Sequence, residues 1–182
     1  MTELSLIFAP GAWYPPTAFD SIITQLRQHG HISHCQTIAF PSIQQATTVK
    51  DLQPDIEATR ALVEPEADAG RDVVLVVHSW AGLPVNSALG GHYWASTLRP
   101  HAWATKVSPA TDAAYLTIPS TYLLCEEDRA IPIAVQEAMV EKARGSGAPM
   151  KTERIKAAHT PWLARPEEVL RFLQTEIGRK RQ

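Results

Sequence analysis

The sequence predicts an α/β fold, a mostly parallel sheet of about five strands with helices on both faces. Three observations carry that prediction. Short apolar runs alternate with stretches of helical periodicity along the whole chain. Asp72–His78 contains five consecutive Val and Leu residues, the composition of a strand covered on both faces. The 182 residues fit one domain, which would bury roughly 70% of its unfolded surface.

Leu4–Ala9 reads as the first strand, and Pro16–His29 as a helix with Phe19, Ile22, Ile23 and Leu26 on one face. Ile32–Phe40 is the second strand, ended by Pro41, and residues 42–50 read as a loop. Asp51–Asp68 is the second helix; Pro54 is tolerated in its opening turn and Gly70 stops it. The strand Asp72–His78 leads into a helix over Trp80–Leu89, which Gly90-Gly91 terminates. His92 to Pro119 is irregular, interrupted by Pro100, Pro109 and Pro119, and carries Tyr93, Trp94 and Trp103. Ser120–Cys125 is a fourth strand, Pro132–Ala143 a helix, Lys151–Ile155 a fifth strand and Pro166–Ile177 the closing helix. There is no internal repeat, low-complexity segment or domain linker.

Composition removes several functional classes. The 17 basic and 19 acidic side chains leave a net charge of −2, no field for nucleic acid or acidic lipid, and Arg179-Lys180-Arg181 is too short to alter that. The longest aliphatic run, Val73 to Val77, is far short of a membrane span. Met1 leads directly into the first strand without a signal-peptide layout. Cys35 and Cys125 fall in strands without CxxC spacing and read as small buried hydrophobes in a reducing compartment. A cytoplasmic setting is the expectation. His29, His31, His92 and His101 show no ligand spacing, so neither metal nor cofactor is expected.

In parallel sheets the chemistry sits beyond the carboxyl ends of the strands. After the third strand comes Val77-His78-Ser79-Trp80-Ala81-Gly82. Ser79 there reads in two ways, as the cap of the next helix or as a nucleophile on a strained strand-to-helix turn. Val77 and Ala81 stand where the elbow pattern G-x-S-x-G has glycines. After the fourth strand, Asp128 sits where a short carboxylate can turn inward, while Glu126 and Glu127 read as solvated. The alternative is an acidic helix start. After the fifth strand comes His159, which taken alone is an ordinary loop histidine. The order Ser, Asp, His at three strand ends is a nucleophile, acid and base series. After the first strand, Gly11 permits close backbone approach, so the amides of Ala12 and Trp80 could face an oxyanion. A tight turn stabilised by Gly11 and Trp13 is the plainer reading of the same residues.

The segment Ile7–Pro16 resembles the opening of small α/β-hydrolases related to plant hydroxynitrile lyases and methylesterases. It is closer still to fungal members, which often carry a valine before the His-Ser pair. Asp72–Gly82, Ile118–Asp128 and Ala158–Pro161 are similar to their elbow, acid and histidine segments, so the resemblance spans nearly the whole chain. It implies a three-layer α/β-hydrolase fold over residues 1–182. It also implies hydrolysis of an ester or thioester by Ser79, His159 and Asp128, with no cofactor. Relatives use the same triad as a base in lyase and cyclase steps, and a non-catalytic binding protein derived from a hydrolase is the third reading.

Family members usually place a further strand and a helical cap between the elbow helix and the acid-bearing strand. Here residues 92–118 read as the remnant of that cap. Two outcomes follow: a closed-up sheet in order 2-1-3-4-5, or an apolar gap covered by a second subunit, which favours a homodimer. A reduced cap opens the site. Trp13, Tyr14, Trp80, Trp94, Trp103 and Trp162 are candidate walls for a small apolar or aromatic substrate.

Overall fold

The computed structural model describes residues 3–28, 32, 34–45, 47–82, 84, 85, 88 and 113–180. The chain divides into two compact units, Met1–Ala114 and Tyr115–Gln182. Parallel strands with intervening helices in each unit give the expected α/β class.

In the first unit, β1 (Leu4–Ala9) lies between β2 (His34–Thr37) and β3 (Asp72–Val77), both parallel to it. A strand in the middle of a sheet packs on both faces, and all six residues of β1 are buried. The β1–β3 register runs from Leu4 opposite Asp72 to Ala9 opposite Val77. β2 is shorter than the predicted Ile32–Phe40, because its pairing with β1 ends at Thr37 opposite Phe8. β3 is less covered than its composition suggests. Val73 to Val76 are half-buried and Val77 is exposed; among the described residues β3 pairs only with β1.

A 3-10 turn at Pro16–Phe19 opens α1 (Asp20–Gln28), which buries Ile22, Ile23 and Leu26. Phe19 lies 5.1 Å from Phe8, ring centroid to centroid. The expected loop over 42–50 begins instead with one short helix, α2 (Pro41–Gln44). Its reason is non-local: the Ser42 amide donates to Asp55 Oδ1 at 2.9 Å, so a carboxylate thirteen residues away satisfies an orphan helix-start donor. Asp55 belongs to α3 (Gln53–Asp68), which has Pro54 in its opening turn and is followed by Gly70 at φ 75°.

In the second unit, β4 (Ser120–Cys125) pairs in parallel with β5 (Met150–Ile155). They are joined through α4 (Ile133–Gly145), and the short α5 (Pro161–Ala164) precedes α6 (Pro166–Lys180). Val169, Leu170, Leu173 and Ile177 form the buried stripe of α6 at helical spacing. Of the order 2-1-3-4-5, the described ladders are 2-1-3 and 4-5, in two sheets. Among the described residues no helix is long and apolar enough to cross a membrane. Gly90-Gly91 and residues 92–112 of the expected cap remnant, with Tyr93, Trp94, Trp103, His92 and His101, lie outside the described residues.

Candidate active site

In the first unit, β3 runs into a tight turn at Ser79. His78 continues the β1–β3 ladder by one residue, its amide donating to Ala9 O at 3.1 Å with extended backbone at φ −107° and ψ 129°. The chain then reverses direction. Ser79 adopts φ 52°, and Ser79–Ala81 form a single 3-10 turn closed by the Ala81 amide on His78 O at 3.0 Å. A left-handed backbone costs a side-chain-bearing residue roughly 1–2 kcal/mol, so packing around the turn must hold it there. The simple capping reading of Ser79 is not what forms: His78 occupies the N-cap position. Ala81 is fully buried in a cluster with Ile7, Ala9, Ile38, Phe40 and Ile43, a space that suits a small residue. Val77, at the first glycine position of the pattern, is 38% exposed, so its branched side chain is accommodated toward solvent.

Gly11 lies directly against this elbow. A Cβ built on it would fall 2.3 Å from His78 Nδ1, closer than a side chain can sit, and a tight 3.0 Å from Ser79 Cβ. The Gly11 amide donates to His78 Nδ1 at 3.2 Å, and the Tyr14 amide closes the turn on Gly11 O at 3.2 Å. Trp13 within that turn is also left-handed, at φ 69°. Its side chain is exposed, whereas Tyr14 is half-buried and packs edge-on against His78 at 5.9 Å. Trp80 turns its ring inward, 6.4 Å from Phe40.

In the second unit, considered by itself, a carboxylate and an imidazole come together. Beyond β4 and β5 the chains stay paired, with the Glu126 amide donating to Ile155 O at 3.0 Å and the Glu127 amide to Ala157 O at 3.1 Å. This brings Asp128 and His159 together: Asp128 Oδ2 lies 2.7 Å from His159 Nδ1. The other carboxylate oxygen accepts the amides of Ala130 at 2.8 Å and Ile131 at 2.9 Å. Burial opposes the charge, but the His159 contact and the two amides outweigh it and hold the Asp128 carboxyl below the usual carboxylate range. An ionised Asp128 fixes the proton of neutral His159 on Nδ1, which leaves Nε2 able to accept one. Glu126 and Glu127 are exposed, as expected, and Glu126 pairs with Arg154. Trp162, three residues past His159, is 6% exposed.

Two residues that sequence reasoning passed over shape the turn in one unit and the Asp–His pair in the other. Gln136 is 2% exposed; its Oε1 accepts the Cys125 amide at 2.9 Å, and its Nε2 donates to Cys125 O at 3.0 Å and Ile131 O at 2.7 Å. It thereby grips the chain on both sides of Asp128. The available signal was an amide side chain in register with Val140 and Ala143 on the buried face of α4. The other is His78, whose signal was only its place beside Ser79. Cys35 and Cys125 are both buried free thiols, and burial pushes Cys125 up to about 11. Among the described residues no group of His, Cys, Asp or Glu side chains is arranged to hold a metal ion.

The comparisons with known proteins agree with this architecture. A solved pyrethroid hydrolase from Sphingobium faniae JZ-2 superposes with a TM-score of 0.69 over 98% of both chains, at 14% identity. In sequence the chain is 24% identical to the α/β hydrolase nvfD of Aspergillus novofumigatus, over 98% of each chain. The chain has the fold of these hydrolases and is similar in sequence along nearly its whole length to an α/β hydrolase. A second relative, the probable hydrolase R7 of a Phoma species, is 23% identical over 93% of this chain and 96% of its own. No family model matches. The alignment to nvfD extends over 250 positions against 182 residues in this chain, so the relative carries residues that have no counterpart here.

Proposed function

We propose that this chain is a serine hydrolase of an ester or thioester with a small apolar or aromatic body. His159 Nε2 takes the Ser79 proton as Ser79 Oγ attacks the carbonyl carbon. Asp128 stabilises the imidazolium, and the amides of Ala12 and Trp80 hold the developing oxyanion. Collapse expels the alcohol or thiol, which receives the proton from His159. Water, activated by the same imidazole, then releases the acid and restores Ser79.

The observation that carries the reading is the left-handed Ser79 at the end of β3, a strained position for a residue with a side chain. The 2.7 Å Asp128–His159 pair supports it, because a carboxylate below its usual range beside Nδ1 suits a base acting through Nε2. The names of the relatives, all hydrolases, agree with the reaction class. We place the enzyme in a reducing, cytoplasmic setting, where the buried thiols Cys35 and Cys125 stay reduced.

The residues of nvfD without counterpart in these 182 favour a second reading, a hydrolase-derived binding protein without catalysis. The two are separated by p-nitrophenyl butyrate turnover and by labelling with a fluorophosphonate. The serine hydrolase reading expects burst kinetics, one phosphonate on Ser79, and loss of both in Ser79→Ala with an unchanged circular dichroism spectrum. Background-level turnover and an unlabelled Ser79 in the folded wild type would select the binding protein.

A further inference from the structure

We propose that His78 is a positioning residue: through Nδ1 it ties the turn carrying Ala12 to the nucleophile elbow. The inference rests on the serine hydrolase reading of Ser79. The turn from Ala9 to Tyr14 meets His78 at three points. His78 N donates to Ala9 O at 3.1 Å, His78 Nδ1 accepts the Gly11 amide at 3.2 Å, and the ring packs edge-on against Tyr14 at 5.9 Å.

The close approach makes the link specific. The imidazole occupies the space a Gly11 side chain would need, with Nδ1 2.3 Å and Cε1 2.7 Å from an ideal Cβ. The same point is 3.0 Å from Ser79 Cβ, so Gly11, His78 and Ser79 share one packed contact. An amide can donate to Nδ1 only when that nitrogen carries a lone pair, so neutral His78 keeps its proton on Nε2. This is the opposite tautomer from the one Asp128 imposes on His159. His78 therefore moves no proton from Ser79; it holds in place a backbone donor that is useful only as charge develops on the carbonyl oxygen. Such a residue affects kcat and leaves KM nearly alone.

The test compares kcat and KM for p-nitrophenyl butyrate in full-length wild type, His78→Leu, His78→Asn and His78→Gln, with Ser79→Ala alongside. Asparagine places its amide oxygen where Nδ1 lies, glutamine places it near Nε2, and leucine offers no acceptor. Losing an oxyanion donor outright costs about 10²–10³ in kcat. A loosened turn should cost less, about 10- to 100-fold in His78→Leu and His78→Gln, with KM within about threefold. His78→Asn should stay within about fivefold of wild type. Equal kcat in wild type and His78→Leu, or His78→Gln above His78→Asn, overturns the proposal. If His78→Leu does not fold, the Asn and Gln pair decides. Full activity in Ser79→Ala removes the nucleophile reading and this inference with it, whereas an inactive Ser79→Ala beside a fully active His78→Leu removes this inference alone. Should wild type show no turnover, ¹⁵N NMR of the imidazoles still decides the contact: His78 protonated on Nε2 supports the tie, and protonation on Nδ1 overturns it.

Discussion

Asp128 divides its carboxylate between two tasks: Oδ2 faces His159 Nδ1 at 2.7 Å while Oδ1 takes the amides of Ala130 and Ile131. Asp128→Asn keeps the Oδ1 contacts but presents an N–H to His159, which forces the imidazole into the tautomer protonated on Nε2; under the proposed mechanism that nitrogen then accepts no proton. We expect kcat to fall about 10⁴-fold while the thermal midpoint changes little, measured by ester turnover and calorimetry.

The same carboxyl predicts an acid limb in stability. Its folded pKa is depressed, so its stabilising contribution is present above the unfolded value of about 3.9 and is lost as pH falls through the folded value. Urea midpoints taken from pH 6 down to pH 2 should fall more steeply in wild type than in Asp128→Asn. Parallel curves would remove this linkage.

Asp55 behaves in the opposite sense. It is fully buried, accepts the Ser42 amide through Oδ1, and burial pushes it up to about 6. A raised carboxyl stabilises the fold below its unfolded pKa, and that contribution is lost as pH rises through about 6. Asp55→Asn retains an acceptor for Ser42 without the buried charge. At pH 8 it should be more stable than wild type by on the order of 2 kcal/mol, with the advantage gone at pH 4, in chemical denaturation at both values.

Gln136→Leu leaves the Cys125 amide and the carbonyls of Cys125 and Ile131 without their side-chain partner. Each unmatched buried group costs about 1–3 kcal/mol, so a loss of about 3 kcal/mol in urea unfolding is expected. Turnover should drop with it, because the chain on both sides of Asp128 is released.

At Ser79 the usual ranking of alanine over glycine should invert. Glycine adopts φ 52° without strain and alanine does not. Ser79→Gly should therefore be more stable than Ser79→Ala by about 1 kcal/mol, both being inactive. Alanine at or above glycine in denaturant midpoint would mean that the turn is not left-handed in solution.

Chain order and local composition were enough to set Ser79, Asp128 and His159 just beyond strands as candidates, because apolar strands announce their own ends and parallel sheets put chemistry there. The same signals predicted a more covered β3 and a longer β2 than the described residues show, since a run of valines does not record its neighbours and pairing stops where the neighbouring strand stops. What only the tertiary structure decided are contacts between residues distant in the chain. Gly11 and His78 lie 67 residues apart, and Ser42 and Asp55 thirteen. A hydrogen bond, a tautomer or a raised carboxyl depends on which atoms arrive within about 3 Å, and periodicity along the chain holds no record of that. Sequence thus determined which residues are available for chemistry; packing determined which proton each of them can hold.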